Sequence, residues 1–260
     1  MTIGNALLAP ALHEVLVERD DARAELARAQ AGVTVAVPCY HQSEYLGGCL
    51  ESIAAQTTPA FETLVIDDGS EKIESVKISE ICREFPDTRH VKVTNRKLPG
   101  ARNTALMLTR TFAFLPLDAD DWLDPAYIEK TLPLLADADV IVPGLQEHGP
   151  TRNGTFMPGF DRPLEQVDVD LMWNGFNRTY YASLFRTQVL REVGGYNGLM
   201  VDGFEDYDLA LDLMQRGYRY RACEEVLFNY RTRPDGMLAT AMAKQVSIRA
   251  EMSRHHRDLK

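Results

Sequence analysis

The 260-residue chain is short of cysteine, of basic residues relative to acidic ones, and of long apolar runs. Cys39, Cys49, Cys82 and Cys223 make no C-x-x-C pair and have no metal-ligand spacing. They read as reduced thiols of a cytoplasmic protein rather than as a disulfide framework. Lysine and arginine number 28 against 38 aspartates and glutamates, a formal net charge of −10. That balance argues against nucleic acid as a partner held by a broad basic surface. It leaves room for a small anion held by local dipoles, arginines or a metal. No stretch approaches the ~18 apolar residues of a membrane span. The opening "MTIGNALLAPALHEVLVERDD" has no basic leader, and Pro10 breaks its apolar run, so it does not read as a signal peptide. Neither G-x-G-x-x-G nor G-x-x-x-x-G-K-S/T occurs, which removes the main support for dinucleotide and P-loop sites.

What is present is an alternation. Residues 11–30 carry Leu12, Val15, Leu16 and Leu26 among alanines and charges, an amphipathic helix that could pack on the domain or on a second copy of the chain. From Val33, short apolar runs ("VTVAV", "FETLVI", "HVKV", "TFAFL") alternate with stretches whose apolar residues recur every three or four positions. This is the pattern of an α/β protein with a mostly parallel central sheet flanked by helices, and ligands gather at the carboxyl ends of such strands. Downstream, "PAYIEKTLPLLAD" reads as a helix, "DVIVPG" as a short strand, and residues 146–178 resist assignment. "YYASLF" reads as a strand, "RTQVLREVGG" and 204–216 as helices, "EEVLFNYR" as the last strand, and 237–260 as a polar helical tail. The division expected is a helix at 1–31, a main domain at 32–235 with halves 32–122 and 123–235, and the tail at 236–260.

Residues behind the strands carry the chemistry. Tyr40 could stack a base or pack on the next helix, and Ser43 could cap that helix. Asp67 and Asp68 precede a glycine turn; they could accept hydrogen bonds from a base or ribose, or serve the turn itself. Arg102, near the start of a predicted helix, could seat a diphosphate or be a surface arginine. "FLPLDADDWLDP" crowds four aspartates into seven positions. Asp124 before Pro125 reads as a helix start. Asp118 and Asp120, on one side of an extended segment, could converge on a divalent cation, Mg²⁺ or Mn²⁺, and on diphosphate oxygens. In "VDGFEDYDLALDLMQRG", Asp202 and Glu205 have capping-box spacing. Asp208 and Asp212 share the face of Glu205, a stripe expected to be solvated. Asp206 lies off that face beside Leu209 and Leu213, a candidate general base at a helix start.

In this order and spacing, "VAVPCYHQSEYLGGCLESIAAQ", "FETLVIDDGS", "PGARNTAL", "FLPLDADDWLDP" and "GGYNGLMVDGFEDYDLALDLMQRGYR" resemble the inverting family 2 glycosyltransferases of the GT-A fold, from Val33 to about Arg231. The end of the match also looks like the C-terminal segment of galactosyltransferase-type enzymes. The resemblance implies a nucleotide-sugar donor, UDP-linked, and a hydroxyl acceptor that is a glycan, a lipid-linked or a small molecule. Pro38, Tyr40, Asp67 and Asp68 would hold base and ribose, and Arg102 would lie near ribose or diphosphate. Asp118 and Asp120 would be the metal pair, with Asp120 the direct ligand. Asp206 would be the base and Glu205 would orient the acceptor. Relatives place a histidine in a Tyr-Arg-x-His run after the last strand; here the run is "YRTRPDG", with Arg233 at that position. Arg233 could then neutralise the diphosphate itself. Two other classes compete: a non-catalytic nucleotide- or glycan-binding protein, and a sugar-phosphate nucleotidyltransferase. The second would need a basic, glycine-rich loop that "PCYHQSEY" does not supply. By position and aromatic content, Trp173, Asn174, Tyr180 and Tyr181 could shape the acceptor side or belong to the core.

Overall fold

A computed structural model describes residues 31–256 apart from 151, 160–162, 176 and 235. The helix expected at 11–30 lies outside the described residues. Strand β1 (Val33–Cys39) is buried at every position, as a continuous apolar run covered on both faces should be. It pairs in parallel with β2 (Glu62–Asp67) on one side and β4 (Ala113–Pro116) on the other, and β3 (Thr88–Lys92) continues beyond β2. The crossovers are helices α1 (Ser43–Ala54), α2 (Lys72–Arg83) and α3 (Lys97–Leu108). Helix α1 buries Leu46, Cys49, Leu50 and Ile53, one face at three- and four-residue spacing, into the main core. All four cysteines are buried free thiols.

Beyond β4 come β5 (Trp122–Leu123), α4 (Tyr127–Thr131) and a 3₁₀ turn over Leu132–Ala136. Then follow β6 (Val140–His148), β7 (Thr155–Phe156), α5 (Val169–Asn174), β8 (Leu184–Arg186) and α6 (Thr187–Glu192). Last are α7 (Glu205–Gln215), β9 (Tyr220–Arg231), α8 (Met237–Ala243) and α9 (Gln245–His255). The strand order is β3-β2-β1-β4-β8-β6-β9-β5, with β7 on β6. The parallel pattern holds from β3 to β4; β8 then inserts antiparallel to both β4 and β6, and the second half is mixed. Because β2 and β4 flank β1 on opposite sides, the chain reverses its progression there, and a crevice opens at the carboxyl ends of these strands. Among the described residues no helix is long and apolar enough to cross a membrane.

Several elements differ from expectation. Strand β6 runs on through Gln146, Glu147 and His148, which pair with Asn229, Tyr230 and Arg231 of β9 after a register shift around Gly144. These polar positions carry no apolar signal, so the strand reads from sequence as ending at Gly144. The strand expected over 180–185 is only Leu184–Arg186. Ser43 is the first helical residue and not a cap; its N–H donates to Glu74 Oε1 at 2.8 Å. Asp124 is structural, its Oδ1 accepting from the Ala126 N–H at 2.9 Å, but it does not cap α4, which begins at Tyr127 with Ala126 in the N-cap position. The polar tail is helical, and it buries Ile248 and Met252 in a second cluster with Met172, Tyr207 and Leu211.

The turn after α6 ends in two left-handed glycines, Gly194 (φ +85) and Gly195 (φ +79). A Cβ on Gly195 would stand 2.4 Å from Asn103 Oδ1, whereas one on Gly194 would meet nothing within 4 Å. Asn103 uses that side chain to grip both the N–H and the C=O of Tyr196. Gly195→Ala is therefore expected to lower stability by about 1–3 kcal/mol, and by more than Gly194→Ala, in paired urea unfolding curves. Equal losses would mean that backbone strain alone matters at this turn.

Candidate active site

The crevice is a cavity of about 700 Å³, and a second of about 280 Å³ adjoins it. Asp118, Leu98, Arg152, Tyr230 and Leu238 line both, so the two are continuous at the end of β4. Among the described residues, His41, Lys97 and Phe204 are the non-glycine residues with left-handed backbone (φ 53, 62 and 62). Lys97 lines the larger cavity, Phe204 the smaller, and His41 follows Tyr40 on the larger. Strained backbone of this kind is retained where the surroundings over-determine it, commonly at functional sites.

At the end of β4 the chain turns rather than extends: the Asp121 N–H donates to the Asp118 carbonyl at 3.0 Å. Asp118 and Asp120 nonetheless both face the larger cavity. Asp121 points inward and is 1% exposed; it accepts from the Arg231 N–H at 2.6 Å and from the Tyr181 hydroxyl. The same Tyr181 oxygen accepts from the Asp118 N–H at 3.1 Å, so one tyrosine fixes the turn. Burial, followed by the charges of Asp120 and Asp118, pushes the Asp121 carboxyl well above the usual carboxylate range.

Arg102 is not at a helix N-terminus and does not present itself to a diphosphate. It sits inside α3, 1% exposed, and donates Nη2 to Asp118 Oδ1 at 2.8 Å and Nη1 to Glu205 Oε1 at 2.5 Å. Its guanidinium lies 4.7 Å from the Tyr181 ring centre and 5.4 Å from that of Tyr196. This corrects both readings of Arg102 from sequence, which had no means of finding partners 16 and 103 positions away. It also removes the capping box: Phe204 caps α7, Glu205 faces Arg102, and Asp202 pairs with Lys244 at 2.7 Å. Burial pushes the Glu205 carboxyl up to about 7, against the pull of Arg102. Asp206 opens into the smaller cavity, where its Oδ2 accepts from Asn177 Nδ2 at 2.9 Å. Its carboxyl is also raised by burial, with Arg102 opposing.

Of the Asp67–Asp68 pair only Asp68 lines the cavity. Asp67 is fully buried and accepts from the Ser70 N–H at 2.8 Å and the Ser75 hydroxyl at 2.5 Å, which is turn chemistry. Pro38 and Tyr40 line the cavity, and the Tyr40 ring is 49% exposed there. Tyr180 and Tyr181 line the smaller cavity, while Trp173 and Asn174 line neither; Trp173 stacks on Arg249. Asn177, Arg152 and Arg231 were not singled out from sequence. Only the polar Asn in an otherwise unassigned stretch gave any hint.

A hard divalent cation would find oxygen ligands at Asp118 and Asp120. Burial and then the charge of Asp118 raise the Asp120 carboxyl, with Arg233 and Arg231 opposing. The donor set therefore fits Mg²⁺ or Mn²⁺ in kind. Arg233 is a rival claimant, its Nη2 3.1 Å from Asp120 Oδ2.

The model of the family "Glycosyl transferase family 2" matches residues 34–194. The chain is 34% identical over 116 residues to Glycosyltransferase GlyA of Streptococcus pneumoniae, covering 42% of this chain and 16% of that protein. It is 34% identical over 100 residues to the chondroitin synthase of Escherichia coli, covering 38% and 15%. The matches thus span about a sixth of those curated relatives. Among solved structures, S. aureus TarS 1–349 in complex with UDP-GlcNAc superposes with a TM-score of 0.67 at 18% identity, over 81% of this chain and 61% of that 1–349 chain. The mannosyltransferase PcManGT from Pyrobaculum calidifontis, in complex with GDP-Man and Mn²⁺, superposes at 0.61 and 20% identity, over 96% and 80%. At such identities these likenesses show the fold, which is GT-A. The family match stops ahead of Glu205, Asp206 and Arg233, but it takes in well over half of the chain, and the chain belongs to glycosyl transferase family 2.

Proposed function

We propose that the chain transfers a sugar from a nucleotide-diphospho sugar of the UDP type to an acceptor hydroxyl, with inversion at the anomeric carbon. The observation that carries this reading is the pair of cavities meeting at Asp118, with a half-buried carboxylate, Asp206, in the smaller one. The larger cavity takes the donor: the exposed Tyr40 ring stacks the base, Pro38 and Asp68 flank base and ribose, and Lys97, Arg231 and Arg233 face the diphosphate. TarS, of the same fold, is known with UDP-GlcNAc, which favours a uridine donor. Asp120, with Asp118 beside it, would hold Mn²⁺ or Mg²⁺, and such a cation supplies positive charge against the departing diphosphate.

In the step itself the acceptor oxygen forms a bond to the anomeric carbon from the face opposite the diphosphate. The carbon–oxygen bond to the diphosphate breaks, and its electron pair leaves with the nucleoside diphosphate. The acceptor proton passes to a carboxylate oxygen of Asp206. Glu205, whose Oε2 is buried with no hydrogen-bond partner among the described residues, orients the acceptor hydroxyl. Arg102 is a positioning residue, tying Asp118 on the donor side to Glu205 on the acceptor side. The walls of the smaller cavity, with Phe156, Tyr180, Tyr181 and Phe228 around Glu147 and Asn177, suit the mixed apolar and hydroxyl faces of a sugar.

Calorimetric titration with UDP, GDP, dTDP and their sugars, with and without Mn²⁺, tests the donor site, and product anomers read by NMR test inversion. Asp206→Asn should keep donor binding and lose turnover by about 10²–10⁴-fold. Absence of binding by every nucleotide would overturn the proposal.

The pH dependence has a defined sign. Asp206 must be ionised to accept a proton, and burial raises its carboxyl above the ordinary aspartate value. The acid limb of kcat/KM should therefore lie above the usual aspartate range, with activity lost as pH falls through it. The Asn177 amide favours the ionised form, so Asn177→Ala should move that limb to higher pH. A limb that stays put would remove Asn177 from the tuning of this carboxylate.

Arg233→Ala should weaken metal-free binding of UDP by about ten- to a hundredfold, the worth of one charge-assisted hydrogen bond. Because the same change frees the Asp120 carboxylate, the apparent affinity for Mn²⁺ should rise. Unchanged affinity for both would mean that Arg233 contacts neither.

A further inference from the structure

Outside both cavities, the end of the last helix meets the middle of α7 in a cluster of ligand-type side chains. Asp208 is fully buried. His255 Nδ1 stands 2.9 Å from Asp208 Oδ2, and His256 Nε2 stands 3.0 Å from Oδ1. One ligand atom from each of the three lies within 4.8 Å of the others. We propose that Asp208, His255 and His256 form a binding site for a borderline divalent cation of the Zn²⁺ class, which clips α9 to α7.

Charge comes first. A carboxylate removed from water needs a compensating positive charge, and among the described residues no lysine or arginine pairs with Asp208. Its partners are two imidazoles. The second argument is orientation. Gln215 Oε1 lies 2.6 Å from His256 Nδ1. With the amide in that orientation Nδ1 carries a proton, and the Nε2 edge that faces Asp208 needs a positive partner there, either a second proton or a metal ion held between ring and carboxylate. A ring nitrogen secured by an outer acceptor while the other coordinates is the usual arrangement of a metal-bound histidine.

Geometry and donor type agree. A tetrahedral Zn²⁺ with bonds of about 2.0–2.2 Å holds its ligand atoms about 3.3–3.6 Å apart. The 2.9 and 3.0 Å contacts run to different oxygens of Asp208, so with one carboxylate oxygen on the ion the three ligand atoms, now within 4.8 Å of one another, would draw in to that spacing. Two imidazoles and a carboxylate leave a fourth position for water, reached past His255, whose side chain is 41% exposed. Nitrogen donors favour Zn²⁺ here over the hard ions suited to Asp118 and Asp120. The consequence reaches the cavities, because Met237 and Leu238 of α8, joined directly to α9, line both of them. The inference stands independently of the sugar-transfer reading.

The full chain, stripped with chelator, is titrated with Zn²⁺ by calorimetry beside His255→Ala, His255→Ala/His256→Ala and Asp120→Ala. One Zn²⁺ per chain is expected for the unaltered protein and for Asp120→Ala. His255→Ala should weaken it by at least about tenfold, as the loss of one of three protein ligands requires, and the double variant should abolish it. Co²⁺ should give visible absorption of a near-tetrahedral site, lost in His255→Ala. Because His255 is exposed, that variant keeps its fold, checked by circular dichroism, even where the double variant does not. Failure of the unaltered chain to bind Zn²⁺ would overturn the site. So would Zn²⁺ binding that is lost in Asp120→Ala but kept in His255→Ala, or that none of the variants changes.

Discussion

The bond on which the rest of the site depends is the double ion pair of Arg102. One fully buried guanidinium joins Asp118, at the end of β4, to Glu205, at the start of α7. It thereby ties the parallel half of the sheet to the helix that carries Asp206. Removing one partner from a buried, hydrogen-bonded ion pair typically costs about 3–5 kcal/mol, because the other charge is left without compensation. Arg102 has two such partners, and it is enclosed between Tyr181 and Tyr196. Each tyrosine is in turn fixed from outside, Tyr181 by the aspartate turn and Tyr196 backbone by Asn103. The position of Asp118 between the two cavities is thus set by covalent and polar constraints arriving from three segments of chain.

The same arrangement sets the charge balance. Asp118, Asp120, Asp121, Glu205 and Asp206 crowd one region, and the cations that answer them come from α3 and from the end of β9. Arg102 satisfies the inner pair, Arg231 supplies its backbone N–H to Asp121 and its side chain to the Asp120 carbonyl, and Arg233 meets Asp120. An anionic diphosphate entering this cavity and a divalent cation would therefore both act on the Arg233–Asp120 contact, one by attracting the guanidinium and the other by replacing it. This is why the arginine in "YRTRPDG" bears on metal dependence and not only on affinity.

Much of the frame was legible in the sequence. The apolar runs of β1, β2 and β4 need only the burial of a two-sided sheet, and the three- and four-residue spacing of α1 reports its buried face directly. Periodicity says which face of an element is buried but not what lies opposite. Asp67 and Asp68 are equivalent in sequence, yet the alternation of β2 turns one to the Ser70–Ser75 turn and the other to the cavity. The polar end of β6 pairs with β9 because its hydrogen bonds are backbone bonds, which no side-chain pattern records. Arg102 reads as a diphosphate seat or a surface arginine because its two partners are distant in sequence.

Helix α7 shows the same limit most sharply. Its spacing puts Glu205, Asp208 and Asp212 on one face, which reads as a solvated stripe. In the folded chain that stripe is divided among unrelated surroundings. Glu205 is buried against Arg102, Asp208 is buried against His255 and His256, and only Asp212 reaches the surface, paired with Arg216. Asp206, off the stripe, opens into the smaller cavity. The four carboxylates sit on a single rigid helix within two turns, so their relative positions are fixed by helix geometry, while their protonation and partners are set separately by what packs around each. A change at Asp208 therefore acts on the anchoring of α9, and one at Glu205 on the link to the donor cavity. The two remain mechanically connected through the helix backbone that carries Asp206 between them.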